Sequence, residues 1–517
     1  MTSASRARLC EDIIRATQTV YQAGSPTPLE SFTLTDNHTV WLKREDLSPI
    51  RAYKWRGAFH RMAALSASER ATGVVTASAG NHAQGVALAA RQLGCQVTIY
   101  MPLSTPRLKQ ESVRRLGEAA VAIRLAGDTY HEAYSTALDD ARASGRVYIH
   151  AFDDPLVMAG QGTLAVEITR EHPRPFDRVY LQIGGGGMAA SVACWLKQQQ
   201  PHIEVIGVEG IDQACMQAAL AAGHPVTLDK LDVFCDGTAV NRAGDHTFAL
   251  CRDLIDHYRL VSNNEVSAAM RYLWDLGRFI PEPAGAMGLA ALLQDKERGI
   301  NQAGESLVII CGANMDFRQL AVVARHSDSR HHRLTLRLEI SERAGSMLDL
   351  LLTCFTEGAI LDFQYGKIAT DRAWPVITVE TGDDQGAGLL ARLSNHRVPT
   401  EVITDATDID FRAVPFRGDL VTHPLFVRLE FHERPGALRD FLQKTQATHG
   451  SLCYFNYSYT GERVGRALIG FEFPDEAERQ TFREALGHHG RGYRQLDEIE
   501  DPARDRLLAA SPQQNPM

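Results

Sequence analysis

The sequence predicts an α/β protein with a mainly parallel sheet, followed by two copies of a small α+β domain. Three observations carry this. Strand and helix patterns alternate from residue 73 to residue 310. The least ordinary stretches, 78–82, 184–187 and 311–314, fall where such strands end, and ligands of parallel sheets sit there. A fifteen-residue segment recurs: Arg337 to Leu351 and Arg428 to Leu442 share eight identical positions.

The 517 residues allow two to four domains and a large core. With 44% hydrophobic and 23% charged residues, the composition is that of a globular protein. A formal net charge of −9 argues against nucleic-acid binding as the main role. It still allows a small anion in a local basic pocket. Nine cysteines are scattered with no C-x-x-C and no paired metal spacing. That pattern fits a reducing compartment, and no metal is expected. The N-terminus lacks the apolar core of a signal peptide, and no run approaches the roughly 18 apolar residues of a membrane span. The expectation is a cytoplasmic protein without membrane partners.

In chain order, Leu9, Ile13, Ile14 and Val20 lie at helical spacing over 6–22. Ser25-Pro26-Thr27-Pro28 ends that helix. A short strand at 40–42 precedes a helix at 55–65. The alternation then runs strand 73–77, helix 81–93 stopped by Gly94, strand 97–101, helix 106–116, strand 120–125, helix 128–143 and strand 146–151. Helix 156–171, strand 178–183, helix 188–199, strand 204–209 and strand 307–310 complete it. The polar stretch 326–332 reads as a linker. In the repeat, Gly358, Phe363 and Tyr365 match Gly450, Phe455 and Tyr457. Each unit reads strand, glycine turn, helix, strand. Two copies suit a small paired domain, because a solenoid needs at least three repeats.

Four windows carry chemistry. Lys54 lies between Tyr53 and Trp55, with Arg51 and Arg56 close by. Apolar neighbours and nearby cations both disfavour the ammonium, which frees the amine for Schiff-base chemistry. Alone, the window better suits a solvated basic helix start. Ser78-Ala79-Gly80-Asn81-His82 joins a strand to a helix, and its N–H groups suit a carboxylate. It also suits a plain helix cap, with His82 a satisfied core histidine. Gly184-Gly185-Gly186-Gly187 opens a helix at an entropic cost that makes sense where backbone N–H groups wrap a phosphate. Gly184-x-Gly186-x-x-Ala189 with Glu209 also fits a dinucleotide fingerprint, so a nicotinamide-dependent dehydrogenase competes. That alternative leaves Lys54 and the Ser78 turn unused. Cys311 ends the last strand, where it would face a pyridine nitrogen as a weak donor or simply fill space.

Together these residues resemble the fold-type II (tryptophan synthase β-like) pyridoxal phosphate enzymes, and among them the biosynthetic threonine dehydratases. The pieces are Lys43-Arg44-Glu45-Asp46, Tyr53-Lys54-x-Arg56-Gly57-Ala58, Ser78 to Gly85, Gly160-Gln161-Gly162-Thr163, the four glycines, Glu282-Pro283-Ala284-Gly285-Ala286 and Cys311-Gly312-Ala313-Asn314. The repeat resembles the paired ACT-like regulatory domains of that family. The resemblance implies a catalytic domain over 1–325, a linker over 326–332 and ACT-like domains over 333–405 and 423–505. It implies that Lys54 holds pyridoxal 5'-phosphate as an imine and Asn81 meets its 3-hydroxyl. Gly184, Gly185, Gly186 and Gly187, with Met188, hold its phosphate, and Cys311 faces its nitrogen. Ser78, Ala79, Gly80, Asn81 and His82 receive the substrate carboxylate. Ala52, Trp55 and Cys311 depart from the residues most members carry. Related serine racemases have a second serine where Ala79 stands, which argues here against racemisation.

The implied reaction is β-elimination of threonine to 2-oxobutanoate and ammonia, the first step of isoleucine synthesis. Serine or another β-hydroxy amino acid is the alternative substrate. The paired domains are expected to bind isoleucine as inhibitor, opposed by valine, near Gly345 and Gly436. The alternative is that they serve only oligomer contacts. A homotetramer is what the resemblance suggests.

Overall fold

The computed structural model describes residues 3–300, 303–327, 332–341, 350, 353–355, 359–364, 372–373, 376–381, 385–403, 422–432, 451–457, 464–488 and 495–499. The chain divides into two compact units, Met1–Ser327 and Asp328–Met517. Among the described residues no helix is long and apolar enough to cross a membrane.

In the first unit, helix α1 (Ser3–Val20) leads to strands β1 (Leu29–Thr35) and β2 (His38–Arg44). Helices α2 (Trp55–Ala63) and α3 (Ala67–Thr72) follow. A strand–helix series comes next: β3 (Val74–Ala77), α4 (Asn81–Leu93), β4 (Val97–Met101), α5 (Arg107–Gly117), β5 (Val121–Leu125), α6 (Tyr130–Ser144) and β6 (Val147–Tyr148). Then come α7 (Pro155–Glu171), β7 (Arg178–Gln182), α8 (Gly187–Gln199), β8 (Glu204–Gly210), α9 (Cys215–Ala222) and α10 (Asp245–Leu254). The unit closes with β9 (His257–Val261), α11 (Asn263–Gly277), α12 (Pro283–Glu297), β10 (Gly304–Ile310) and α13 (Gln319–Ser327).

The larger sheet has the order β1-β2-β10-β7-β8-β9; only β1 and β2 pair antiparallel. The smaller sheet, β5-β4-β3-β6, is wholly parallel. Strands β3 and β4 are buried along their whole length, in keeping with their near-continuous apolar runs, broken only by Thr76 and Thr98, in a sheet covered on both faces. Helix ends follow local chemistry. Gly94 closes α4 in the left-handed region, φ 63°, returning its N–H to Ala90 and Arg91. Asp154 caps α7 by accepting from the N–H groups of Leu156 and Val157, with Pro155 first in the helix.

The strand–helix alternation matches the sequence reading to within a few residues. Strand β1, helix α3, the elements α9 to α12 with β9, and helix α13 are additions. One of these carries a readable signal, since Ser262 and Glu265 form a capping box at the start of α11. Of the expected linker over 326–332, residues 326 and 327 belong to α13 and His332 opens the next strand, while 328–331 lie outside the described residues.

In the second unit, β11 (His332–Leu338), β13 (Ala359–Gln364), β15 (Val376–Thr381) and β16 (Thr400–Val402) form the sheet β13-β15-β11-β16; β12 (Ile340–Ser341) and β14 (Arg372–Ala373) make a separate short pair. Strands β17 (Leu425–His432), β18 (Ser451–Tyr457), β19 (Val464–Glu472) and β20 (Gln495–Glu498) form the sheet β18-β19-β17-β20. Counted along the chain, both sheets have the order second, third, first, fourth. Helices Gln385–Asn395 and Glu476–His488 each lie between the third and fourth strands. Even a register shift recurs at matching places, between Ile360 and Asp362 and between Leu452 and Tyr454. Gly345 and Gly436, expected near the effector, lie outside the described residues.

Candidate active site

Lys54 directly precedes α2, and its backbone is held from several sides. Helices α2 and α7 approach so closely that a Cβ on Gly160 would lie 2.6 Å from the Cα of Gly57. A Cβ on Gly85 of α4 would lie 3.0 Å from the Lys54 carbonyl oxygen. The Tyr53 N–H donates to the Cys311 carbonyl at 3.1 Å, and Ala52 bridges Gly312. Two residues on, the buried Arg56 guanidinium donates to Glu45 at 2.8 and 2.9 Å, to Glu167 at 2.5 and 2.9 Å and to Thr163 Oγ1 at 3.1 Å. Lys43 meets Glu167 at 2.8 Å. This buried network fixes where α2 starts.

The expectation that Arg51 and Arg56 press on Lys54 is corrected. Arg56 is neutralised by two carboxylates, and Arg51 is exposed, in the left-handed region at φ 57°. Burial is what lowers the Lys54 pKa, to about 8, against the opposing pull of Cys311 and Glu282. Its Nζ donates to the Ala151 carbonyl at 3.1 Å.

Lys54 shares one cavity with Gly184, Gly185, Gly186, Gly187, Met188 and Cys311, with about 390 Å³ of empty space including its mouth. Phe152, Gln182 and Thr238 also line it, none singled out by the sequence. Gln182 had a signal, since it ends β7 two residues before the glycine run. The glycines are required by space: a Cβ on Gly185 would lie 2.3 Å from the Phe152 ring, and Gly186 has φ 94°. Gly187 begins α8, so first-turn N–H groups without intrahelical partners lie at the cavity wall. A tight, side-chain-free cradle at a helix N-terminus, with a depressed lysine in the same cavity, fits a phosphorylated aldehyde. Burial pushes the Cys311 thiol up, so it stays an S–H group.

Ser78, Ala79, Gly80, Asn81 and His82 form the β3–α4 turn and do not belong to that lining. Ser78 Oγ accepts from the Gly80 N–H at 3.2 Å. Asn81 donates to Glu282 Oε1 at 2.7 Å, and its Oδ1 accepts from Asn314 at 2.8 Å. His82 sits 3.1 Å from the Ile149 carbonyl; burial, then Lys54, lowers its pKa to about 3, so it is neutral. Glu282 ties the turn to the cavity: a Cβ on Gly237 or Gly312 would lie 2.8 or 2.5 Å from its Oε1. Burial raises its pKa to about 7. Glu282 stands in a family motif with no task legible from sequence, because its partners Asn81 and Asn314 come from distant segments.

A family model of pyridoxal-phosphate dependent enzymes matches residues 20–312, and one of the C-terminal regulatory domain of threonine dehydratase matches residues 422–505. The biosynthetic L-threonine dehydratase of Escherichia coli is 36% identical over 506 residues, 95% of each chain. That of Pasteurella multocida is 36% identical over 499 residues, 94% of each chain. The chain belongs to the biosynthetic threonine dehydratase family. Among solved structures, the processed form of threonine deaminase isoform 2 from Solanum lycopersicum is similar with a TM-score of 0.59 and 39% identity, over 63% of this chain and 94% of that one. Maize serine racemase is similar with a TM-score of 0.57 and 29% identity, over 62% and 98%. Threonine dehydratases depend on pyridoxal phosphate, and the dinucleotide reading of the glycine loop falls away. Glu209 is fully buried and accepts the Met216 and Gln217 N–H groups at 2.8 Å each. Bonded to the start of α9 and without exposed surface, it is not placed to meet a ribose.

Proposed function

We propose that the chain converts L-threonine to 2-oxobutanoate and ammonia in the cytoplasm, at the head of isoleucine synthesis. The observation that carries this is the meeting of the Lys54 amine, the glycine cradle and Cys311 in one cavity. Pyridoxal phosphate, when bound, supplies the electron sink that lets a carbanion form at the substrate Cα. Gly184 to Gly187 and Met188 hold its phosphate through N–H groups at the head of α8. Lys54 would hold its aldehyde carbon through Nζ. The freed Nζ then accepts the Cα proton, and a pKa about 8 leaves enough neutral amine for this near pH 7. Cys311, a thiol and so only a weak donor, would face the pyridine nitrogen without holding it protonated. That favours loss of the β-hydroxyl over transamination. Asn81, held by Glu282 and Asn314, meets the 3-hydroxyl. Ser78 and the backbone to His82 receive the substrate carboxylate. Ala79 has no proton to deliver on the opposite face, which favours elimination over racemisation. The released enamine hydrolyses to the oxo acid and ammonia.

The first experiment is an absorbance spectrum of the purified protein, before and after threonine. A visible cofactor band that shifts as 2-oxobutanoate accumulates is expected. A protein that stays colourless with added pyridoxal phosphate overturns the reading, as does near wild-type turnover by Lys54→Ala. Product from serine in place of threonine redirects the substrate.

The second unit binds isoleucine as inhibitor, opposed by valine, in a homotetramer, with Gly345 and Gly436 as the residues expected near the effector. Support comes from the regulatory-domain match and from the two sheets of equal order. Deleting residues 328–517 leaves threonine turnover and removes the isoleucine response. Inhibition that survives the deletion refutes this assignment.

A further inference from the structure

The carbonyl groups of the glycine loop are gripped from behind. Thr247, fully buried in the first turn of α10, donates its hydroxyl to the Gly185 carbonyl at 2.5 Å. The Cys215 and Cys251 thiols point at the carbonyls of Gly184 and Gly186, at 3.4 and 3.9 Å. Thiols are weak donors, so the hydroxyl dominates. In a planar trans peptide the C=O and the next N–H point in opposite directions. Tying the Gly185 carbonyl back toward α10 therefore turns the Gly186 N–H the other way, on a loop whose glycines line the cavity.

The start of α10 is itself fixed from the cavity side. Asp153 accepts the N–H groups of Asp245, His246 and Thr247 at 3.0 to 3.1 Å. Just before it, Phe152 packs on Gly185 and Gly187, and the Ala151 carbonyl accepts from Lys54. One turn, His150 to Asp153, thus touches both the lysine and the element that sets the glycine loop. His150 Nδ1 braces it by accepting from the Phe152 and Asp153 N–H groups at 3.2 and 2.8 Å.

We infer that Thr247 is a positioning residue for the cofactor phosphate: its hydroxyl, placed by Asp153, orients the Gly185–Gly186 peptide so that the loop presents its N–H groups to the phosphate. The inference rests on the cofactor assignment above. It reaches the cofactor through the phosphate alone, and that separates it from a general packing role.

The test is titration of the cofactor-stripped full-length protein with pyridoxal phosphate and with pyridoxal, which lacks the phosphate, followed by the visible band. Thr247→Val leaves the Gly185 carbonyl with only the Gly244 N–H at 3.4 Å. It is expected to weaken pyridoxal phosphate binding roughly tenfold or more, the scale of a lost buried hydrogen bond, and to change pyridoxal binding less than about twofold. Thr247→Ser restores the hydroxyl and the affinity. Asp153→Asn gives a smaller loss with the same selectivity and carries the test if Thr247→Val does not fold. Equal weakening of both ligands, or no weakening of either, overturns the inference. Failure of the wild-type protein to bind either ligand instead overturns the cofactor assignment on which it rests.

Discussion

Gly160→Ala is the sharpest probe of how the fold aims Lys54. The added Cβ would lie 2.6 Å from Gly57 Cα, 2.7 Å from the Arg56 carbonyl oxygen and 3.0 Å from the Arg56 carbonyl carbon. All three are backbone atoms, so no side chain can turn aside. The nearest contact is 0.8 Å short of the 3.4 Å at which ordinary contact begins. Alanine favours a helix over glycine by about 1 kcal/mol, while overpacking costs roughly 1–3 kcal/mol. The net loss of stability is therefore small, about 0–2 kcal/mol. The catalytic effect is larger. Relief requires α2 to move away from α7, and Lys54 is the residue before α2. A displacement near 1 Å at a reacting group costs up to about a hundredfold in rate. Gly162→Ala is the control on the same helix, because its Cβ meets only side-chain atoms, Ile13 Cδ1 and Cγ1 at 2.5 Å and Cγ2 at 3.3 Å, and no backbone. Steady-state kcat for threonine and urea midpoints are measured for both. Gly160→Ala should lose at least about tenfold in kcat with a modest midpoint shift, and Gly162→Ala should stay within about twofold. Equal kcat in the two variants would refute the claim that the α2–α7 contact aims the lysine.

Three further outcomes follow from the buried charges. Arg56→Met leaves buried Glu45 without its cation and Glu167 with Lys43 alone, and should cost about 3–5 kcal/mol in urea unfolding; a loss below about 1 kcal/mol would count against the network as an anchor. Glu167 is held below the usual carboxylate range, because Arg56 and Lys43 outweigh its burial. Its contribution is present above the ordinary carboxylate pKa and is lost as pH falls through the depressed value, so the midpoint should drop on acidification, less so in Glu167→Gln. Glu282 has the opposite sign. Its folded pKa about 7 exceeds its unfolded value of 4.5, so between those two the folded state holds the extra proton and stability falls as pH rises. Glu282→Gln should remove that fall, worth up to about 3 kcal/mol, when midpoints at pH 5 and pH 7.5 are compared. An unchanged slope would place the charge elsewhere.

Local chemistry was the readable part. Helix α4 begins at Asn81 and ends before Gly94 because a turn and a left-handed glycine bracket it, and both signals lie within a few residues. Gly184 to Gly187 could be assigned to a strand end because four glycines have no reason to open a helix otherwise. Arg56 shows the limit. Adjacency suggested that it bears on Lys54, but two positions along a helix turn a side chain through about 200°, and its carboxylates come from residues 45 and 167. Glu282 and Thr247 are hidden for the same reason: each acts on a loop far away in sequence, and no periodicity encodes that meeting. Strand β1 is an edge strand beside Pro26 and Pro28, and its pairing with β2 shows only in the folded sheet.

The matching register shifts in the regulatory unit bear on misassembly. Two near-copies in one chain can exchange elements or join edge to edge while folding. In both sheets the shifted strand, β13 or β18, is the outermost one. A bulge there interrupts the row of backbone donors and acceptors that another strand would need as a template. The copies thus keep the same defect at the same edge, 92 positions apart at Ile360 and Leu452. Straightening it, by deleting one residue from either bulge, would turn a closed edge into an adhesive one, and aggregation during refolding would rise before native stability fell.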